Sequence, residues 1–226
     1  MNRSLWVHQF DELVPAWGDP PYGPLVKNLG FTHICPKAMD GDTWMSEYDH
    51  NPDAIGSLQD CSDRLAAFNG AGLGMDLWVV PTKDTWQQAL VQYQAIARSL
   101  PGRLFLDMEP YAGFWGDDSD ASAFLNEMAL PRVWLCYDVR RTDWLQTQLG
   151  RFEGSAPMLY LPDWTGSVIP NGRPCEPILD STSSGQVWMT ILRDPQLGSI
   201  DGRTGFGIFR APIQGLERLA TIRGMA

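Results

Sequence analysis

Eight short runs rich in β-branched and aromatic residues recur along the chain and constrain its fold more than any other feature. They cover residues 5–10 (LWVHQF), 31–37 (FTHICPK), 73–80 (LGMDLWVV), 103–109 (RLFLDME), 132–137 (RVWLCY), 156–161 (APMLYL), 186–192 (QVWMTIL) and 206–211 (FGIFRA). Helical patterns separate several of them, at 57–70, 84–100, 119–130 and 142–149, with Asp84 and Ser119 as N-cap residues and Gly70 and Gly102 at helix ends. Eight strands alternating with helices predict a parallel sheet closed into a (β/α)8 TIM-type barrel, because right-handed crossovers of this length put the helices outside the sheet. The barrel is expected to be irregular. Segments 163–184 and 193–205 are rich in Gly, Pro and Ser, 38–55 reads as a long loop after the second strand, and a final helix at 213–223 is expected to close the ring. No internal repeat or low-complexity linker divides the 226 residues, so one domain over 1–226 is expected.

Alternation along each run predicts which side chains enter the barrel. In 103–109, Leu104, Leu106 and Met108 share the apolar face and belong against the helices, which turns Asp107 and Glu109 inward at the C-terminal end of the fourth strand. Barrel enzymes place their chemistry at that end. The same test sends Trp6, His8 and Phe10 inward, with Asp76 and Trp78, with His33, Cys35 and Lys37, and with Gln186, Trp188 and Thr190. Two acids two residues apart repel, so one stays protonated while the other ionises, which is the division of labour in glycoside hydrolysis. Glu109, nearer the mouth, is the expected general acid and Asp107 its orienting or charge-stabilising partner. The blander alternative is a structural Lys37–Asp107 ion pair.

The chain holds ten tryptophans, more than core filling in a domain of this size asks for. Trp44, Trp78, Trp115, Trp164 and Trp188 fall at or just after strand ends, where they can stack on sugar rings. Trp86, Trp134 and Trp144 are expected in the core. With Lys37, Asp76 and Tyr137, and with Asp163 as a third acid at the mouth, these tryptophans complete the expected substrate-binding set. Asp163 reads equally well as a turn residue.

At LFLDMEP the chain resembles the D-x-E strand end of the family 25 glycoside hydrolases, lysozymes with irregular barrels that cut the glycan of peptidoglycan. CPKAMDG at residues 35–41 is similar to that family's second-strand K-A-x-x-G, and GQVWMT at 185–190 to its late-strand V-x-x-W-Q region. The resemblance implies Glu109 as proton donor, Asp107 as its partner and no cofactor. The chain departs from the family in carrying Trp6 where the first strand has an Asp, and Met189 or Thr190 in place of the late-strand Gln.

Other chemistries are weaker. A net charge of −10 with no basic run disfavours nucleic acid. Cys35, Cys61, Cys136 and Cys175 lack zinc-ligand spacing, and Cys35 and Cys136 read as buried strand thiols. No metal is expected. Asp40-Gly41-Asp42 and the acids at 117–120 read as a turn and a helix start rather than a Ca²⁺ loop. There is no G-x-S-x-G elbow, and the glycines at 69–74 precede a strand instead of following one. His8 reads as a hydrogen-bonded interior histidine, with lining the cleft as the alternative. No apolar run is long enough for a membrane span or signal segment. If this is the whole gene product, the chain is expected to be made in the cytoplasm, and to reach a cell wall by lysis or as part of a virion.

The sequence thus predicts a glycoside hydrolase-like barrel acting on a glycan, with peptidoglycan as the expected substrate. The alternatives are a non-catalytic glycan-binding or structural barrel, such as a component of a phage particle or other larger assembly, and a metal-assisted hydrolase using the same acids.

Overall fold

The computed structural model describes residues 2–108, 119–140, 146–160, 174–182, 205–211 and 222. Its centre is a closed ring of parallel strands: β1 (Asn2–Val7), β2 (His33–Asp40), the split pair β4 (Gly74–Met75) and β5 (Leu77–Val80), β6 (Leu104–Met108), β7 (Val133–Asp138), β8 (Gly154–Leu159), β9 (Ile178–Asp180) and β10 (Gly205–Phe209). Each strand pairs in parallel with its neighbour around the ring, and β1 closes it by pairing with both β2 and β10. Counting β4 and β5 as one position gives eight, and β6 is the fourth. The expected irregular (β/α)8 TIM-type barrel is therefore observed.

Period-two alternation sorts the strand residues into two cores. Leu5, Val7, Ile34, Leu77, Val79, Leu104, Leu106, Met108, Leu135, Tyr137, Leu179 and Ile208 join the layer between sheet and helices. Trp6, Cys35, Trp78, Phe105, Trp134, Cys136, Ala156, Met158 and Ile178 fill the barrel itself. Two glycines admit the largest rings. A Cβ on Gly207 would lie 2.5 Å from Trp6 Nε1, and one on Gly154 would lie 2.6 Å from the Trp134 ring. Outside the ring, α4 (Trp86–Ser99) buries Trp86, Ala89, Tyr93, Ile96 and Ala97, the three-to-four spacing of one helix face. Helix α3 (Leu58–Gly70) starts at Ser57, whose hydroxyl accepts from the Asp60 backbone N–H.

Four expectations change. Phe10, expected inside the barrel, packs on Tyr22 and Phe68 in the outer core, because β1 ends at Val7 and strand alternation stops there. The seventh ring position is β9, within the Gly- and Pro-rich stretch expected to be loop; three residues suffice because β8 and β10 flank it. The segment 186–192, expected in that place, lies outside the described residues, as does most of 213–223. Asp84 does not cap α4, whose N-cap is Thr85. The expected loop 38–55 opens as a hairpin: β2 runs on to Asp40, Gly41 turns with φ +55°, and β3 (Thr43–Trp44) returns antiparallel.

That extension of β2 carries a bulge. Lys37 pairs with Trp78, but Met39 pairs with the next residue, Val79, so Ala38 is the extra residue. In an unbroken strand Lys37 and Asp40 would face opposite sides. The bulge puts both on the inner side, where Lys37 Nζ reaches Asp40 Oδ2 at 2.7 Å.

Candidate functional site

The two ends of the barrel carry different polar groups. At the N-terminal end Arg103 is clamped between two acids. Its backbone N–H and Nε donate to Asp76 Oδ1 at 2.8 and 3.2 Å, Nη2 donates to Asp76 Oδ2 at 2.6 Å, and Nη1 meets Glu176 Oε1 at 2.6 Å. The guanidinium lies 4.7 Å from the Trp134 ring and 5.1 Å from Phe105, as a polar lid under the aromatic core. Burial alone pulls the Arg103 pKa down, but Asp76 and Glu176 carry it above its ordinary value. A hollow of about 410 Å³ opens beside this clamp, lined by His33, Asn69, Gly102 and Arg103 among others. It lies away from the strand ends that carry chemistry in barrels, and the ion network beneath it reads as stabilising the fold. Asp76 is inward as expected, but it belongs to this end and not to the mouth.

At the C-terminal end the strands deliver a different set. Asp107 follows Phe105 on the inner face of β6, in register with Cys136, and is 6% exposed. Asp138 closes β7 and accepts from the Arg140 backbone N–H at 2.9 Å and from its guanidinium at 2.6–3.2 Å. Asp180 closes β9 and accepts from the backbone N–H and hydroxyl of Thr182. Tyr160 stacks on Phe209, their rings 6.3 Å apart and 15° from parallel, and both are half-buried. Trp78 lies beneath, edge-on to Phe209 at 5.8 Å, donating Nε1–H to the Val7 carbonyl at 3.1 Å. Lys37 Nζ stands 5.0 Å over the Trp78 ring.

His8, Glu12 and Arg210 form one rim of this mouth. Glu12, in the single 3₁₀ turn after β1, accepts from His8 Nδ1 at 3.0 Å and from Arg210 Nε at 2.6 Å and Nη2. Burial, Arg210 and Lys37 push the His8 pKa down to about 4, against the opposing pull of Asp40. His8 is hydrogen-bonded as expected, but with one-quarter of its side chain exposed it sits at the rim and not in the interior.

The expected site residues divide as follows. Lys37 and Trp78 meet inside the barrel, and Asp107 lies near the C-terminal end of β6. Trp78, however, is 2% exposed and covered by Lys37, so it is a floor and not an open stacking face. Tyr137 faces the helices within the outer core, and its alternation partner Asp138 takes the inward position. Trp44 packs from β3 against the same outer core. Glu109, Asp163, Trp164, Trp188 and Trp115 lie outside the described residues. The sequence reading passed over Asp138, Asp180, Tyr160, Phe209 and Glu12. The signal for the first two was available: each acid ends an apolar run, as in LCYD and ILD, the pattern that singled out LFLDMEP. All four cysteines are buried, Cys35 and Cys136 inside the barrel. Burial raises the Cys35 thiol pKa well above its ordinary value, which keeps it unreactive. Among the described residues no cluster of His, Cys, Asp and Glu is grouped to hold a metal, and no helix is long and apolar enough to cross a membrane.

No protein-family model matches the chain, and no curated protein does. Among solved structures it is distantly similar to a family 20 glycoside hydrolase catalytic module of StrH, a pneumococcal exo-β-D-N-acetylglucosaminidase. The identity is 7% and the TM-score 0.37, over 99% of this chain and 81% of that one. A likeness at that level carries no argument, and the barrel described here rests on its own strand pairing.

Proposed function

We propose that the chain is a glycan-acting barrel that works at the C-terminal ends of its strands and hydrolyses a glycosidic bond by carboxylate general acid catalysis. The observation that carries this reading is Asp107, inward near the C-terminal end of the fourth strand, the same barrel end that holds Asp138, Asp180 and the Tyr160–Phe209 stack. Carboxylates at Asp107, Asp138 and Asp180 suit a neutral ligand rich in hydroxyl donors, and the Tyr160–Phe209 stack offers the apolar face of a sugar ring a surface. Glu109, two residues beyond Asp107, is the proposed proton donor, with Asp107 lowering the cost of charge in the transition state. Peptidoglycan is the proposed substrate, on the strength of the family 25 lysozyme-like motifs at 35–41, 104–110 and 185–190.

One observation favours a second reading, a barrel that binds glycan without cutting it. Trp6 occupies the first-strand position where the similar lysozymes carry an acid, and it is packed into the barrel at 2% exposure. Assays of the wild type and Glu109→Gln on cell walls and soluble chito-oligosaccharides separate the two. Hydrolysis by the wild type that is lost in the variant supports the enzyme. Binding without hydrolysis supports the second reading, and neither binding nor hydrolysis overturns both.

A further inference from the structure

The rim histidine has a feature that the proposed chemistry leaves unused. Glu12 is fixed from the far side of the ring closure by Arg210, 198 positions away in sequence, so its carboxylate is a stationary acceptor. A carboxylate accepts only, so the 3.0 Å contact requires His8 Nδ1 to carry the hydrogen. The lone pair then lies on Nε2, on the opposite edge of the ring. The imidazole continues the inward alternation of β1 after Ser4 and Trp6, keeps 27% of its side chain exposed, and lies 6.2 Å from the Trp78 ring. Among the described residues Nε2 has no hydrogen-bond partner.

We propose that His8 is a ligand-contacting residue whose bare Nε2 accepts a hydrogen bond from a hydroxyl of the glycan at the mouth. This rests on the glycan reading and deepens it, since it names a group that selects a hydroxyl donor in place of an ether or an acceptor. The charged groups facing the imidazole are Glu12 on its own segment, Lys37 and Asp40 from β2, and Arg210 from the end of β10. Burial, helped by the two cations, keeps the ring neutral, so Nε2 accepts without taking the proton away. Glu12 acts through His8 and is a positioning residue.

The test uses the full chain with chito-oligosaccharide as probe. Imidazole ¹⁵N shifts at pH 7 are expected to show His8 with Nδ1 protonated and Nε2 bare, and the Nε2 resonance is expected to move as oligosaccharide is added. His8→Ala is expected to weaken binding roughly tenfold, the loss of one well-formed hydrogen bond. His8→Gln, which keeps an amide oxygen near the Nε2 position, is expected to recover most of that affinity, with unchanged circular dichroism in both variants. A protonated Nε2, an Nε2 resonance unmoved at saturation, or undiminished binding by His8→Ala overturns the proposal. If the wild type still binds or cuts glycan in that event, this inference fails alone. If the wild type neither binds nor cuts, the glycan reading fails with it.

Discussion

Trp6 and Gly207 face each other across the join between the first and last barrel strands, with Trp6 Nε1 occupying space that any Cβ on Gly207 would need. The absence of a side chain on β10 is thus matched to the largest side chain on β1. Gly207→Ala is expected to destabilise the fold by about 1–3 kcal/mol, because the added methyl forces the ring off its position in a packed interior. Denaturant unfolding midpoints check this, and an unchanged midpoint would show that the Trp6 ring moves freely.

The clamp at the opposite end predicts a stability effect separable from function. Asp76→Ala leaves Arg103 buried with Glu176 as its remaining acid and is expected to cost about 3–5 kcal/mol. Glycan binding per folded molecule is expected to be unchanged, since Asp76 lies at the N-terminal end. Thermal unfolding and a binding isotherm on the same sample distinguish a loss of fold from a loss of site.

Lys37 and Asp40 give a coupled pair of substitutions. Asp40→Ala removes the carboxylate from a buried ammonium and is expected to destabilise by about 1–3 kcal/mol. Adding Lys37→Met is expected to recover most of the loss, because the thioether fills the space over Trp78 without a charge to satisfy. A double variant as weak as Asp40→Ala alone would place the cost in the hairpin turn instead.

His8 makes stability depend on acid. Its folded pKa of about 4 is below the ordinary value of 6.5, so the unfolded chain binds the proton more readily. The contribution is complete above about pH 6.5 and is lost as the pH falls towards 4, by roughly 1.4 kcal/mol per pH unit at most, and less because the ring is partly exposed. His8→Gln is expected to flatten this part of the curve. Unfolding free energies between pH 4 and 7 compare the two proteins, and a histidine that titrates above 6.5 by NMR would show that Glu12 prevails over the cations.

Asp107→Asn tests the inner acid. A lowered kcat, by roughly 10²-fold or more, with KM little changed is expected if the carboxylate acts in the transition state. A variant that instead loses stability and keeps its turnover would assign Asp107 to the fold.

Much of this was legible in the sequence because side-chain alternation in a strand is a local property. Leu104, Leu106 and Met108 had to share a face, so Asp107 had to turn inward, and the same rule placed Trp6, Cys35, Trp78 and Leu77 correctly. The fold class followed from counting such runs, seven of which became ring strands, while β9 holds the remaining position. Tertiary structure alone decided the rest, because pairing between strands is not local. Ile178–Asp180 becomes a strand only where β8 and β10 offer it partners on both sides. Alternation places Asp76 and Asp107 inside the barrel alike, but strand pairing fixes the end each occupies: Asp76 just precedes β5, level with Arg103, and Asp107 is the penultimate residue of β6. Asp40 reaches Lys37 through a one-residue bulge that periodicity cannot reveal. His8 gains its partner Glu12 locally, but the Arg210 that holds Glu12 arrives when the last strand closes on the first.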